Sequence, residues 1–72
     1  MRLYVKFQFS SNGKDPLTVA KLAREIGFAP EVGEYDCSMP FKDPERYGEL
    51  VTQLHDALKG AKVYYTLITK ER

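Results

Sequence analysis

Residues 2 to 9, RLYVKFQF, alternate strictly: Leu3, Val5, Phe7 and Phe9 fall on one side, and Arg2, Tyr4, Lys6 and Gln8 on the other. A period of two marks a strand with one face buried, so the segment predicts β-structure. SSNGK then breaks the pattern with turn chemistry, and Asp15-Pro16 supplies an N-cap acceptor followed by proline at the first helical position. Beyond it the period lengthens. Val19, Leu22, Ala23 and Ile26 share one helical stripe, with Thr18, Lys21, Arg24 and Glu25 outside it. Gly27 predicts a left-handed C-terminal cap, with Phe28 placed to fold back onto the last turn.

The tripeptide KDP at 14 to 16 reappears at 42 to 44, again ahead of a helical stripe, here Tyr47, Leu50, Val51, Leu54 and Leu58, closed by Gly60. The shared tripeptide reads as strand-to-helix turn chemistry and is too short to establish a duplication. The final run KVYYTLITK is rich in β-branched and aromatic residues and predicts a strand. Its faces are ambiguous, because Val63, Tyr65 and Leu67 lie on one side and Tyr64, Thr66 and Ile68 on the other.

Between the helices, Pro30 and Gly33 bracket a short extended piece, and Tyr35 to Met39 predict a strand with Tyr35, Cys37 and Met39 inward and Glu34, Asp36 and Ser38 outward. A hairpin turning at Gly33-Glu34 gives a fourth strand; a single strand leaves a three-stranded βαβαβ sheet. An all-parallel sheet would need cover on both faces, and the polar side of the first strand argues against that. The expected fold class is therefore α+β: a two-layer, ferredoxin-like βαβ(β)αβ sandwich with both helices on one face of a sheet of three or four strands.

At 72 residues the chain is expected to form a single domain, 1–72, burying only about 60% of the surface its unfolded form exposes. A deep catalytic cleft is not expected in so small a body. The 43% apolar content, with five tyrosines and four phenylalanines, suffices for a packed globule. No apolar run approaches the roughly 18 residues of a membrane helix, and no basic start precedes an apolar signal core. The expectation is a soluble, cytoplasmic protein without membrane partners. One cysteine forms no internal disulfide, so stability must come from core packing or from oligomerisation, most simply a homodimer. Few side-chain amides (Gln8, Asn12, Gln53) beside 29% charged residues fit a thermophilic source.

Catalytic chemistry has little to draw on. Cys37 and His55 are the only thiol and the only imidazole, so a Cys-His nucleophilic pair is the one dyad of that kind available, with Asp36, Asp43 or Asp56 to orient the ring. The alternation places Cys37 inward, where a packed, inert thiol is the usual outcome, and no catalytic residue is assigned. No Cys-x-x-Cys, His-x-x-x-His or spaced aspartate loop predicts a metal, and no cofactor is expected. SSNGKD lies before a helix N-terminus, but it lacks the glycine-lysine-hydroxyl spacing of a phosphate loop, and Asp15 would put a negative charge where the phosphate must sit.

The sheet face turned away from the helices carries more information. Tyr4, Lys6, Tyr64, Thr66 and Ile68 form its expected binding or interface patch, and Arg2, Glu34, Asp36 and Lys70 its charged edge. Aromatics interleaved with basic residues are what single-stranded RNA platforms use, with Tyr4 and Tyr64 stacking on bases and Arg2, Lys6 and Lys70 meeting phosphate. The formal net charge of +1, and Glu34 and Asp36, count against nucleic acid. Self-association accounts for the mixture better: an apolar centre with opposite charges around it lets two copies cover one another. The leading expectation is a non-catalytic, oligomeric interaction or small-ligand regulatory module; RNA binding comes second and a Cys37-dependent enzyme third.

Overall fold

The computed structural model describes residues 1–71. In chain order the elements are β1 (Arg2–Gln8), α1 (Pro16–Ile26), β2 (Ala29–Pro30), β3 (Cys37–Pro40), α2 (Pro44–Leu58) and β4 (Tyr64–Lys70). The sheet order is β2-β3-β1-β4, and every neighbouring pair is antiparallel. Because β3 lies between β1 and β2, and β1 between β3 and β4, each helix connects two parallel strands across an inserted one. That double split βαβ is the ferredoxin-like, two-layer α+β sandwich. The three-stranded alternative is overturned by β2, which adds a fourth strand through two residues pairing Ser38 and Cys37.

Helix boundaries follow the capping chemistry. Asp15 and Asp43 each turn a carboxylate oxygen onto a first-turn N–H, from Thr18 and Arg46, both at 2.8 Å. Pro16 and Pro44 then start the helices at positions where a missing N–H costs nothing. Gly27, at φ +124°, ends α1 and hands its N–H and that of Phe28 back to Ala23 O, which drops Phe28 to 2% exposure in the core. The second helix ends differently: Lys59 is its C-cap, and Gly60 follows at φ +82°.

The core lies between the helices and one sheet face. Leu3 and Val5 from β1, Val19 and Ala23 from α1, Cys37 from β3, Leu50, Leu54 and Leu58 from α2, and Phe28 and Phe41 from the connections make one buried cluster. Tyr65 and Leu67 pack against it half-buried, which resolves the ambiguity of β4: the side carrying Tyr64, Thr66 and Ile68 faces away from the helices. Phe9 departs from its expected inward place, since β1 ends at Gln8 and Phe9 lies beyond the ladder, 37% exposed and 5.9 Å from the ring of Phe7.

Two turns are locked together at the end of the sandwich where α2 passes into β4. Lys14 N–H donates to Ala61 O at 2.9 Å, and Ser10 Oγ donates to Lys62 O at 3.0 Å. Gly13 lies so close to this segment that a Cβ there would stand 2.6 Å from the carbonyl oxygens of both Ala61 and Lys62. The SSNGK turn is thus a packing element, and its glycine allows backbone to meet backbone.

Candidate functional site: the open sheet face

No helix covers the second face of the sheet. Register sets its membership: across β1 and β4, Arg2 lies opposite Lys70, Tyr4 opposite Ile68, Lys6 opposite Thr66 and Gln8 opposite Tyr64, while on the other side Tyr4 meets Ser38. All five residues expected of the patch, Tyr4, Lys6, Tyr64, Thr66 and Ile68, therefore share one surface. Tyr64 is 73% exposed, and Tyr4 and Ile68 are half-buried.

The centre of this face has more structure than alternation predicts. Tyr35, expected in the core, stands on the open face instead, its ring 5.1 Å from that of Tyr4 at an interplanar angle of 41°. Lys70 lies over both, with Nζ 5.5 Å from the Tyr4 centroid and 5.0 Å from that of Tyr35. This is cation–π geometry, in which the ammonium sits against the negative faces of the two rings. Tyr35 escapes the inward prediction because β3 starts at Cys37; two residues earlier the chain is still in the hairpin, where a period of two has no meaning.

Beside the tyrosines lies a polar network. Ser38, wholly buried, accepts from Arg2 at Nη2 (2.9 Å) and Nε (3.3 Å) and donates its hydroxyl proton to Glu31 Oε2 at 2.6 Å. A hydroxyl buried on an otherwise open face is tolerable because its donor and acceptors are all used. Glu31 is a member of the face that sequence reasoning missed, since the short extended piece between Pro30 and Gly33 carries no alternation to place it and only the hairpin brings it onto Ser38.

The expected charged edge is redrawn. Arg2 and Lys70 stand as expected, but Asp36 is not on the face as a free carboxylate: its Oδ2 accepts from Phe7 N–H at 2.7 Å, and its own N–H donates to Val5 O at 2.9 Å. Asp36 thereby continues the β1 ladder beyond the start of β3, satisfying backbone groups that the missing strand residue would otherwise leave open. Glu34 is exposed in the hairpin beside Gly33, whose φ of +109° makes the turn.

Cys37 and His55 are not brought together. The imidazole Nδ1 lies 3.3 Å from Tyr65 Oη on β4, whereas Cys37 lies on β3, with β1 between the two strands. Burial, reinforced by the carboxylates of Asp36 and Glu31, pushes the Cys37 thiol up to about 12, so at neutral pH it is protonated and a weak nucleophile. Among the described residues no group of three or more His, Cys, Asp and Glu could hold a metal ion, and no helix is long and apolar enough to cross a membrane. No protein-family model matches the chain, and no match was found to a curated protein or to a solved structure.

Proposed function

We propose that this chain is a non-catalytic interaction module that self-associates through its open sheet face. One observation carries the reading: exposed Tyr64 stands on the same uncovered face as half-buried Ile68 and Tyr4, in a domain whose single helical layer buries only the opposite face. Charge supports a second copy as the occupant. Lys6 and Lys70 lie on the β1–β4 side, and Glu31 and Glu34 on the hairpin side, so a two-fold docking lays the basic half of one copy over the acidic half of the other. A domain of 72 residues gains stability from such burial, because its own core is small. A single buried, reduced thiol suits a cytoplasmic setting.

Light scattering over a range of protein concentrations tests this. Wild type is expected at twice the chain mass, and Tyr64→Glu and Ile68→Glu at the single-chain mass with unchanged helical circular dichroism. A monomeric wild type, or two variants that keep the dimer mass, refutes the choice of face.

A second reading, single-stranded RNA, gains from one finding: Asp36 is turned into the Phe7 N–H, which leaves Arg2, Lys6 and Lys70 less opposed on this face. Against it, Tyr35 and Lys70 already occupy the Tyr4 ring. Three phosphate contacts would make the logarithm of affinity fall with the logarithm of salt at a slope of about −2. A titration with single-stranded RNA that leaves the β1 and β4 amide signals unmoved removes this reading.

A further inference from the structure

A cavity of about 230 Å³ opens on the helical side of the sheet, between α1, the end of β1 and the β2–β3 hairpin. Phe7, Phe9 and Phe28 wall it with rings, Ala20 and Ala23 leave the space on the α1 side, and Cys37 belongs to its lining. The origin of the space is local. At Ala20 and Ala23 α1 presents methyl groups where larger residues would fill the gap, and β2 is only two residues long, so the hairpin does not close over the end of β1. Its volume exceeds the roughly 150 Å³ of an apolar cavity that accepts a benzene ring.

Two exposed charged groups line this apolar space at its solvent side, Arg24 from α1 and Asp36 from the hairpin. They do not pair with each other: the one ion pair among the described residues joins Arg46 and Glu49. The Arg24 guanidinium has no ion-pair partner among those residues, and the Asp36 carboxylate accepts through Oδ2 from Phe7 N–H. A cation and a carboxylate that line one apolar groove without pairing with each other match a ligand that carries both charges itself.

We infer that this cavity is a binding site for a small zwitterion with one apolar ring or branched side chain, the chemistry of a free apolar α-amino acid. The side chain enters among Phe7, Phe9 and Phe28, the ligand carboxylate meets the Arg24 guanidinium, and the ligand ammonium meets Asp36 Oδ1. The site is separate from the open sheet face, so it stands whether or not that face self-associates.

The test is a titration of the ¹⁵N-labelled full chain with L-phenylalanine, phenylacetate and phenethylamine in turn. Phenylalanine is expected to give saturable shifts grouped at Phe7, Ala23, Arg24, Asp36 and Cys37, and to bind more tightly than either single-charge probe. Arg24→Gln is expected to weaken phenylalanine and phenylacetate about tenfold, the worth of one charge-assisted contact, and to leave phenethylamine unchanged. Ala20→Phe, at an exposed helical position that does not threaten folding, is expected to fill the mouth and abolish all three sets of shifts. Absence of saturable shifts with phenylalanine overturns the assignment. So does binding no tighter than that of the single-charge probes, or an Arg24→Gln protein that binds as wild type.

Discussion

Gly13 offers the sharpest test of the fold, because the structure reverses the ordinary expectation for its replacement. Glycine to alanine at a position the new residue can adopt stabilises a protein by about 0.4–1 kcal/mol, through the entropy of the unfolded chain. At Gly13 the added Cβ would stand 2.6 Å from two backbone oxygens, Ala61 O and Lys62 O, and neither can swing aside as a side-chain end can. The turn must lift away. Lifting it breaks the Lys14 N–H to Ala61 O bond and the Ser10 Oγ to Lys62 O bond and uncovers Ala61, now 1% exposed. Two hydrogen bonds at about 1 kcal/mol each, plus lost packing at Ala61, less the entropic gain, leave a net destabilisation of about 2 kcal/mol. For a domain of this size that is a melting temperature lower by roughly 8–16 °C. Gly48 is the control. It sits exposed inside α2 with nothing within 4 Å of its would-be Cβ, so Gly48→Ala is expected to stabilise by about 0.5–1 kcal/mol. Thermal and urea unfolding of the two variants beside wild type give both signs. A Gly13→Ala protein as stable as wild type would refute the docked turn.

Three further outcomes follow from the same geometry. Ser38→Ala removes the hydroxyl that joins Arg2 to Glu31, and the two charged groups, being only partly buried, regain water; the expected cost is about 2 kcal/mol in urea unfolding, and a neutral substitution would show that the network contributes nothing. Asp43→Ala removes the acceptor of the Arg46 N–H and is expected to cost about 1 kcal/mol, visible as a lower urea midpoint at unchanged m-value. The Cys37 thiol is held above its ordinary 9.0, at about 12, so the unfolded chain gives up this proton first; its contribution to stability is complete below pH 9.0 and declines as pH rises towards about 12. The stability difference between wild type and Cys37→Val is the measure. It is expected to shift against wild type as pH climbs through that window, and a constant difference would contradict the burial of the thiol.

Both helices, their N-caps and the two long strands were legible in the sequence, because each rests on chemistry local to a few residues. An aspartate followed by proline starts a helix wherever it lies, and the alternation of RLYVKFQF separates Leu3 and Val5 from Tyr4 and Lys6 without knowledge of any partner strand. From β1 and the two helical stripes, the two-layer class follows, since amphipathic elements of these periods bury their apolar sides only against one another.

Tertiary structure alone decided the rest, and in each case the deciding contact joins residues far apart in the chain. Which side of β4 is buried depends on its register with β1, because both sides of YYTLIT carry apolar groups. Tyr35 reaches the open face, and Asp36 the Phe7 N–H, because β3 begins only at Cys37 and the preceding residues follow the hairpin. Gly13 reads in sequence as an ordinary turn glycine, and only the approach of Ala61 and Lys62 makes it irreplaceable. The cavity beside Arg24 is of the same kind: alanines at 20 and 23 count as small members of a helix until the hairpin and the Phe rings close the other walls. Local patterns record what each segment can bury. What each segment then meets is set by the closure of the whole sheet, which no window of the sequence contains.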